Sequence, residues 1–327
     1  MADEIEEGKS RKSGPLVNIS ADDFFGLGRV TDKVMEALKA GIGPVLEPWV
    51  RSRLASADQE AARGWLEVTK DSGLAIRELE IETLSGRAQI RVRAEEVKQQ
   101  ENREAVAIHT LREIGDLAKE RRIAADPESV GPEWLNRFWR LAQDVTSEDL
   151  QSVWGRVLAR KTTGAGAISA RTLEGLSLLE GWEIEELARI APCVVGTTRH
   201  GISSMELITK FSAVNVSEHD YEPINKRLGH LIGEFDLVHF GGIGLLNVSG
   251  YFQFSFMVSD GQPLVLGGKR WIMSVGSKKE VAAASAAIFS RTGEEILGLI
   301  KSEPNEKYVQ VMLDGLRRQV IRVEAAD

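Results

Sequence analysis

The chain has 327 residues, 43% of them apolar and 28% charged, and a formal net charge of −8. That length and balance fit two or three ordinary soluble domains and exclude a disordered or fibrous chain. The acid excess disfavours general nucleic-acid binding, which needs clustered Lys and Arg, and the single cysteine, Cys193, excludes an internal disulfide and a Cys-rich zinc site.

Residues 1–14, "MADEIEEGKSRKSG", read as a charged, disordered tail without the apolar core of a secretory signal. "NISADDFFGLGRVTDKVMEALKAG" then predicts a first helix. Ser20 and Asp23 form its cap, Leu27, Val30, Val34 and Leu38 fall at helical spacing, and Gly41 stops it. From Trp49 to about Ile123 the pattern is helical and heavily charged. Leu54, Ala57, Ala61, Trp65 and Val68 form one narrow stripe, and Ala107, Leu111, Ile114 and Ala118 another. Ten basic and ten acidic side chains lie between Arg77 and Arg122. Such a balance marks solvated helix surfaces with i,i+4 pairs, which fits long helices coiled between subunits. Gly73 and "LSGRA" around Gly86 are the expected breaks.

"AADPESVGPEW" (124–134) is the first boundary, and "PEWLNRFWRLAQDVTSEDLQSVWGRVLAR" (132–160) follows, with three of the seven tryptophans and four arginines. Thr146 and Asp149 predict a cap for a helix from Ser147 to about Lys161. Leu150, Trp154 and Leu158 share one face of it, and Trp134, Phe138 and Leu141 make a matching stripe on the helix before, with Trp139 aimed at another element. Two facing aromatic stripes predict a buried core, each aromatic contributing about 2–3 kcal/mol, with Arg137, Arg140, Arg156 and Arg160 on outer or flanking faces.

"SEDLQSVWGRVLARK", the Gly-rich "TTGAGAIS" and "ISARTLEGLSLL" together resemble a bacterial family known as domain of unknown function number twenty-eight hundred and six. In that family a helix with a Leu-Gln-x-x-Trp core precedes a Ser-x-Arg-Thr-Leu helix. "GIGPVLEP" and "RTGEEILGLI" are similar to its N- and C-terminal parts. The resemblance implies that these segments belong together, and it brings no activity or catalytic residue with it.

"APCVVGTT" is the second boundary, after which phenylalanine accumulates: seven of ten lie beyond residue 210. "HDYEPINKRLGHLIGEFDLVHF" reads as a helix closed by Gly233 and then a short strand, and the glycines of "HFGGIGLLNVSG" as a turn between strands. "YFQFSFMV" alternates with period two, "SDGQP" supplies a turn, and "LVLGGKRWIMSV" continues as strand. Thr292 and Glu295 predict a capping box, Val309, Met312, Leu313 and Leu316 a last helix, and "VIRVEA" a final strand. "VAAASAAIF" (281–289) is the best apolar run and is far short of the roughly 18 residues of a membrane span.

The expected fold class is mainly α: long N-terminal helices and a central helical bundle, then a smaller α+β domain with a winged helix as its candidate form. The expected divisions are 1–14, 15–126, 127–195 and 196–327. No phosphate loop, nucleophile elbow or paired-histidine ligand motif is present in the sequence, so no catalytic, cofactor or metal residue is assigned. "SEHDYE" (217–222) is read as a helix-cap run before a metal site, and Cys193 as a buried thiol. The chemistry points to a cytoplasmic, non-enzymatic interaction or regulatory protein that self-associates through its helical N-terminal half. The alternative is a membrane-associating effector in a bacterial defence or stress response, using the amphipathic helix at Phe24–Val34; its Asp22, Asp23 and Asp32 oppose that. A nucleic-acid reading rests on Lys226, Arg227 and His230 alone.

Overall fold

The computed structural model describes residues 29–43, 46, 83–124, 129–199, 202–211, 234–247, 254–276, 280–319 and 321–326. The tail at 1–14, the Ser20 cap, the Leu54–Val68 stripe, Gly73, the acidic run 217–222 and the helix of Lys226, Arg227 and His230 lie outside the described residues. The chain divides into two compact units, Met1–Ala167 and Ile168–Asp327.

The first unit is helical: α1 (Arg29–Ile42), α2 (Leu84–Lys119), α3 (Pro132–Ala142) and α4 (Glu148–Thr163). Thr83 caps α2 by accepting from the Gly86 N–H at 2.9 Å, so the break expected at Gly86 falls just ahead of it. Ser147, one residue later than the expected Thr146, caps α4 by accepting from the Leu150 N–H. Glu148 and Asp149 then fill its first turn, and Gly164 closes it at φ +70°. α2 and α4 pack side by side because Gly155 has no side chain: a Cβ there would lie 2.4 Å from the His109 Cβ. Val106, Leu111, Ile114 and Leu117 of α2 are buried with Val153, Trp154, Val157 and Leu158 of α4. α4 therefore has α2, not α3, as its main partner. A chain of amides holds the α3–α4 turn to α2: Asn102 Nδ2 donates to the Gln143 carbonyl at 2.7 Å, and Gln151 Nε2 donates to the Val145 carbonyl at 2.9 Å and to Asn102 Oδ1.

The second unit opens with α5 (Ala170–Ser177) and α6 (Gly181–Ile190), which the sequence groups with the bundle. Beyond the short 3₁₀ turn Ala191–Cys193 come β1 (Val194–Arg199), β2 (Ile202–Phe211), α7 (Glu234–Gly242), β3 (Leu246–Asn247), β4 (Phe254–Ser259), β5 (Gln262–Leu266), β6 (Lys269–Ser274), β7 (Glu280–Phe289), α8 (Arg291–Leu299), α9 (Glu306–Arg318) and β8 (Arg322–Ala325). All described strands pair antiparallel in one sheet, in the order β3-β7-β2-β1-β5-β6-β8, with β4 on the same edge of β7 as β3.

That order forces the sheet to roll. β4 and β5 are joined by Asp260 and Gly261 alone, yet β7, β2 and β1 separate them in the hydrogen-bonded order. Three Cα steps reach about 11 Å, and four strand spacings in a flat sheet need about 19 Å. Gln262 ties the roll: its Nε2 donates to Thr197 Oγ1 at 2.6 Å and its Oε1 accepts from the Ser259 N–H at 2.8 Å. Ala283, Ala284, Ala286 and Ala287 of β7 are all buried, so both faces of that strand are covered.

Two expectations give way here. "LVHF" is part of helix α7, with Leu237 and Phe240 buried three apart, and its glycines turn from a helix into a strand, Gly244 at φ +81°. Thr292 and Glu295 do not form a capping box: Ser290 caps α8 by accepting from the Gly293 N–H at 3.1 Å. Glu295 instead reaches α5, where one oxygen accepts from the Ser169 N–H at 2.8 Å and from Thr172 Oγ1 at 2.6 Å, while Arg291 pairs with the other at 2.8 Å.

Burial pushes the Glu295 carboxyl up, but the hydrogen bonds from Thr172, Ser169 and Arg291 outweigh it and hold the group below the usual carboxylate range. A depressed folded value means that this contribution is present above the unfolded value of about 4.3 and is lost as pH falls through the folded one. Glu295→Gln is expected to destabilise the protein by about 1–3 kcal/mol at pH 7, with the gap to wild type closing below about pH 4, in urea unfolding followed against pH.

Candidate functional site

The tryptophan-rich segment forms a closed core. Phe138 and Trp154 are fully buried and Trp139 nearly so. Phe138 stacks on Trp134 at 5.4 Å and 12°, meets Trp139 edge-on at 5.0 Å, and tilts against Trp154 at 5.4 Å. Trp139 leaves this stripe for α1: its Nε1 donates to the Ala37 carbonyl at 2.9 Å and its indole occupies the space where a Gly41 Cβ would be. Trp134 is half-buried beneath Lys161, whose Nζ sits 5.6 Å from the ring centroid. The rings are filled by one another and by helix backbone.

The four arginines divide. Arg137 and Arg140 are exposed; Arg156 and Arg160 are half-buried, Arg160 lying 3.8 Å from the buried Glu113 of α2. Burial lowers both guanidinium groups from their ordinary value, and Glu113 opposes the shift. Burial and then Arg112 lower His109 as well. Glu113 of α2 is thus the buried acid that Arg156 and Arg160 of α4 share.

Two surfaces carry exposed chemistry. The first is the N-terminal part of α2. Leu84 lies about six turns from Val106, and Val92 about seven turns from Leu117, so these residues share one face of the helix. Val106 and Leu117 are buried, whereas Leu84 is 77% and Val92 49% exposed. Among the described residues, Arg91, Val92, Glu95, Glu96 and Gln99 line a surface hollow of about 340 Å³.

The second surface surrounds His239 in the second unit. Glu180 and Glu183 form the capping box of α6, in which Glu183 Oε2 accepts from the Glu180 N–H at 2.7 Å. The other oxygen of Glu183, a buried side chain, lies 2.6 Å from His239 Nε2 on α7. Trp182 packs over the imidazole at 4.9 Å and donates from Nε1 to Glu180 at 2.9 Å. A buried carboxylate thus orients a partly exposed imidazole under an indole. Sequence reasoning missed this group because it placed His239 on a strand; the Glu180-x-x-Glu183 spacing at the start of α6 was the available signal.

Among the described residues no group of three or more His, Cys, Asp or Glu is placed to hold a metal ion, and no described helix is long and apolar enough to cross a membrane. Cys193 is buried beside Tyr308, and burial pushes its thiol up to about 12, with Arg189 opposing. In the native protein Cys193 is expected to resist a thiol reagent such as Ellman's at pH 8 and to react stoichiometrically once urea unfolds the chain; rapid reaction of the folded protein contradicts this burial.

No curated protein and no solved structure matches the chain significantly. The family described as "Protein of unknown function (DUF2806)" matches residues 86–313, from the first turn of α2 to α9. That span takes in the α2–α4 core, the Glu295 anchor and the Glu183–His239 pair, and the chain belongs to this family.

Proposed function

We propose that this protein is a non-enzymatic interaction or regulatory protein that self-associates through its helical N-terminal half. The observation that carries this reading is the α2 face. The residues that bury α2 against α4 continue toward the helix start as Leu84, Ala88 and Val92, all exposed. These three form a short exposed apolar line with Arg91, Glu95 and Gln99 two turns further along the same face, and an apolar line set among charged and polar neighbours fits a second helix laid along it. Arg91, Glu95 and Glu96 flank Val92 and supply the charged rim that sets register in paired helices.

The membrane-associating alternative depends on α1. The described part of its apolar face, Val34, Ala37, Leu38 and Ile42, is buried, and Trp139 bonds to its backbone. Of the side chains that reading rests on, Val34 is buried, and Phe24, Phe25 and Leu27 lie outside the described residues. The nucleic-acid reading, and the winged helix with it, stays with Lys226, Arg227 and His230, outside the described residues, and the net charge of −8 opposes it.

Sedimentation velocity of the full chain over a concentration series tests the proposal. The wild type is expected to associate, and Leu84→Lys with Val92→Lys to raise the dissociation constant by about tenfold or more, since burying each such side chain contributes about 1.5–3 kcal/mol. Helical circular dichroism is expected to stay unchanged. A wild-type monomer at all concentrations, or a variant that associates as the wild type does, refutes it.

A further inference from the structure

The second unit carries two exposed surfaces of opposite character. Around the Glu183–His239 pair, Trp182 is 45%, Val238 69% and Ile243 43% exposed. Trp182 is already held by Glu180 and by the His239 ring, so it presents a fixed indole at little ordering cost. Glu174, Glu180 and Glu185 are exposed here; Arg171 is exposed just ahead of them, and Arg189 pairs with Glu186. The acids outnumber the two arginines, and such an excess beside apolar side chains favours a cationic partner that also carries apolar side chains.

The outward face of β5, β6 and β8 has that composition. Gln262, Leu264 and Leu266 of β5 are buried, so Pro263 and Val265 face out. They pair across the ladder with Ile272 and Arg270, and Arg322 pairs with Ser274 beyond them. Val265 is 44% and Ile272 37% exposed, and Arg270 and Arg322 are exposed beside them. Arg270 and Arg322 are the cations of this face, and Glu324 stands on it opposite Ile272, which leaves the face net cationic.

We propose that these two surfaces bind each other between copies of this chain: the acidic Trp182 surface of one copy receives the Val265–Ile272 sheet face of the next. The contact is heterologous, so it builds rings or open chains of subunits, unlike a symmetric pairing of two α2 helices. It is independent of the α2 reading.

The full-length protein tests it by charge reversal in the Leu84→Lys, Val92→Lys background, which removes the α2 face from the measurement. Glu185→Lys with Val238→Lys alters the acidic surface and avoids the Glu180 cap; Arg270→Glu with Arg322→Glu alters the sheet face. In sedimentation, each reversed variant alone is expected to lose the salt-sensitive association, its dissociation constant rising about tenfold or more. An equimolar mixture of the two is expected to associate again, because each altered surface then meets a complementary one. Recovery in the mixture cannot come from misfolded protein. Reversals without effect, a mixture that stays dispersed, or a background protein with no salt-sensitive association overturns the proposal, whatever the α2 substitutions do to the wild type.

Discussion

The absence of one side chain, at Gly155, sets the first unit. It lets the α4 backbone come against His109, and that close approach brings Val153, Trp154 and Val157 into the same core as Val106 and Ile114. Everything else in the unit is placed relative to this pair of helices. The Asn102–Gln151 amides fix the α3–α4 turn on it, Phe138 closes over Trp154, and Trp139 then reaches α1. The buried residues of α2 lie mainly in its C-terminal half, and in the N-terminal half Leu84, Ala88 and Val92 are exposed. Packing at one end of a helix thus defines the open surface at the other.

In the second unit the equivalent constraint is the two-residue link between β4 and β5. A sheet that must roll to satisfy it buries both faces of β7, which explains why that strand is made of alanine: larger side chains would not fit between two covered layers. The outward faces of β5, β6 and β8 remain for solvent, and there Arg270 and Arg322 stand beside Val265 and Ile272. On α6 and α7 the capping box of Glu180 and Glu183 does two things at once. It starts α6, and it anchors an imidazole and an indole in fixed positions.

Helices whose signal is local were legible in the sequence. The stripe Ala107, Leu111, Ile114 and Ala118, the α4 face around Trp154, and α9 with Met312 and Leu316 all follow from 3.6-residue spacing, and all but the half-buried Ala118 at the stripe's end are buried as that spacing requires. The period-two run at β4 was readable for the same reason. What failed depended on distant partners. Glu295 looks like a capping residue of its own helix, and its hydrogen bonds run to Ser169 and Thr172, more than 120 positions away. "LVHF" contains β-branched and aromatic residues at a length that suits either state, and tertiary burial of Leu237 and Phe240 decides for helix. The pairing of α4 with α2 instead of α3 rests on a glycine whose importance shows only when a second helix is against it. The family resemblance united these segments in advance, and it carried no chemistry to any residue.

The position of β7 in the chain has a consequence for how the protein is made. β2, β3 and β4 all pair with it, and all precede it. On the ribosome these three strands emerge with their shared neighbour still missing, so their backbone donors and acceptors on that side wait for residue 289 and beyond. The helical unit, built largely from nearby segments, has no such delay once α4 is out. Synthesis therefore completes the α2–α4 core while the sheet is still half-assembled, and the interval before β7 emerges is when the strand edges of this chain are most open to aggregation.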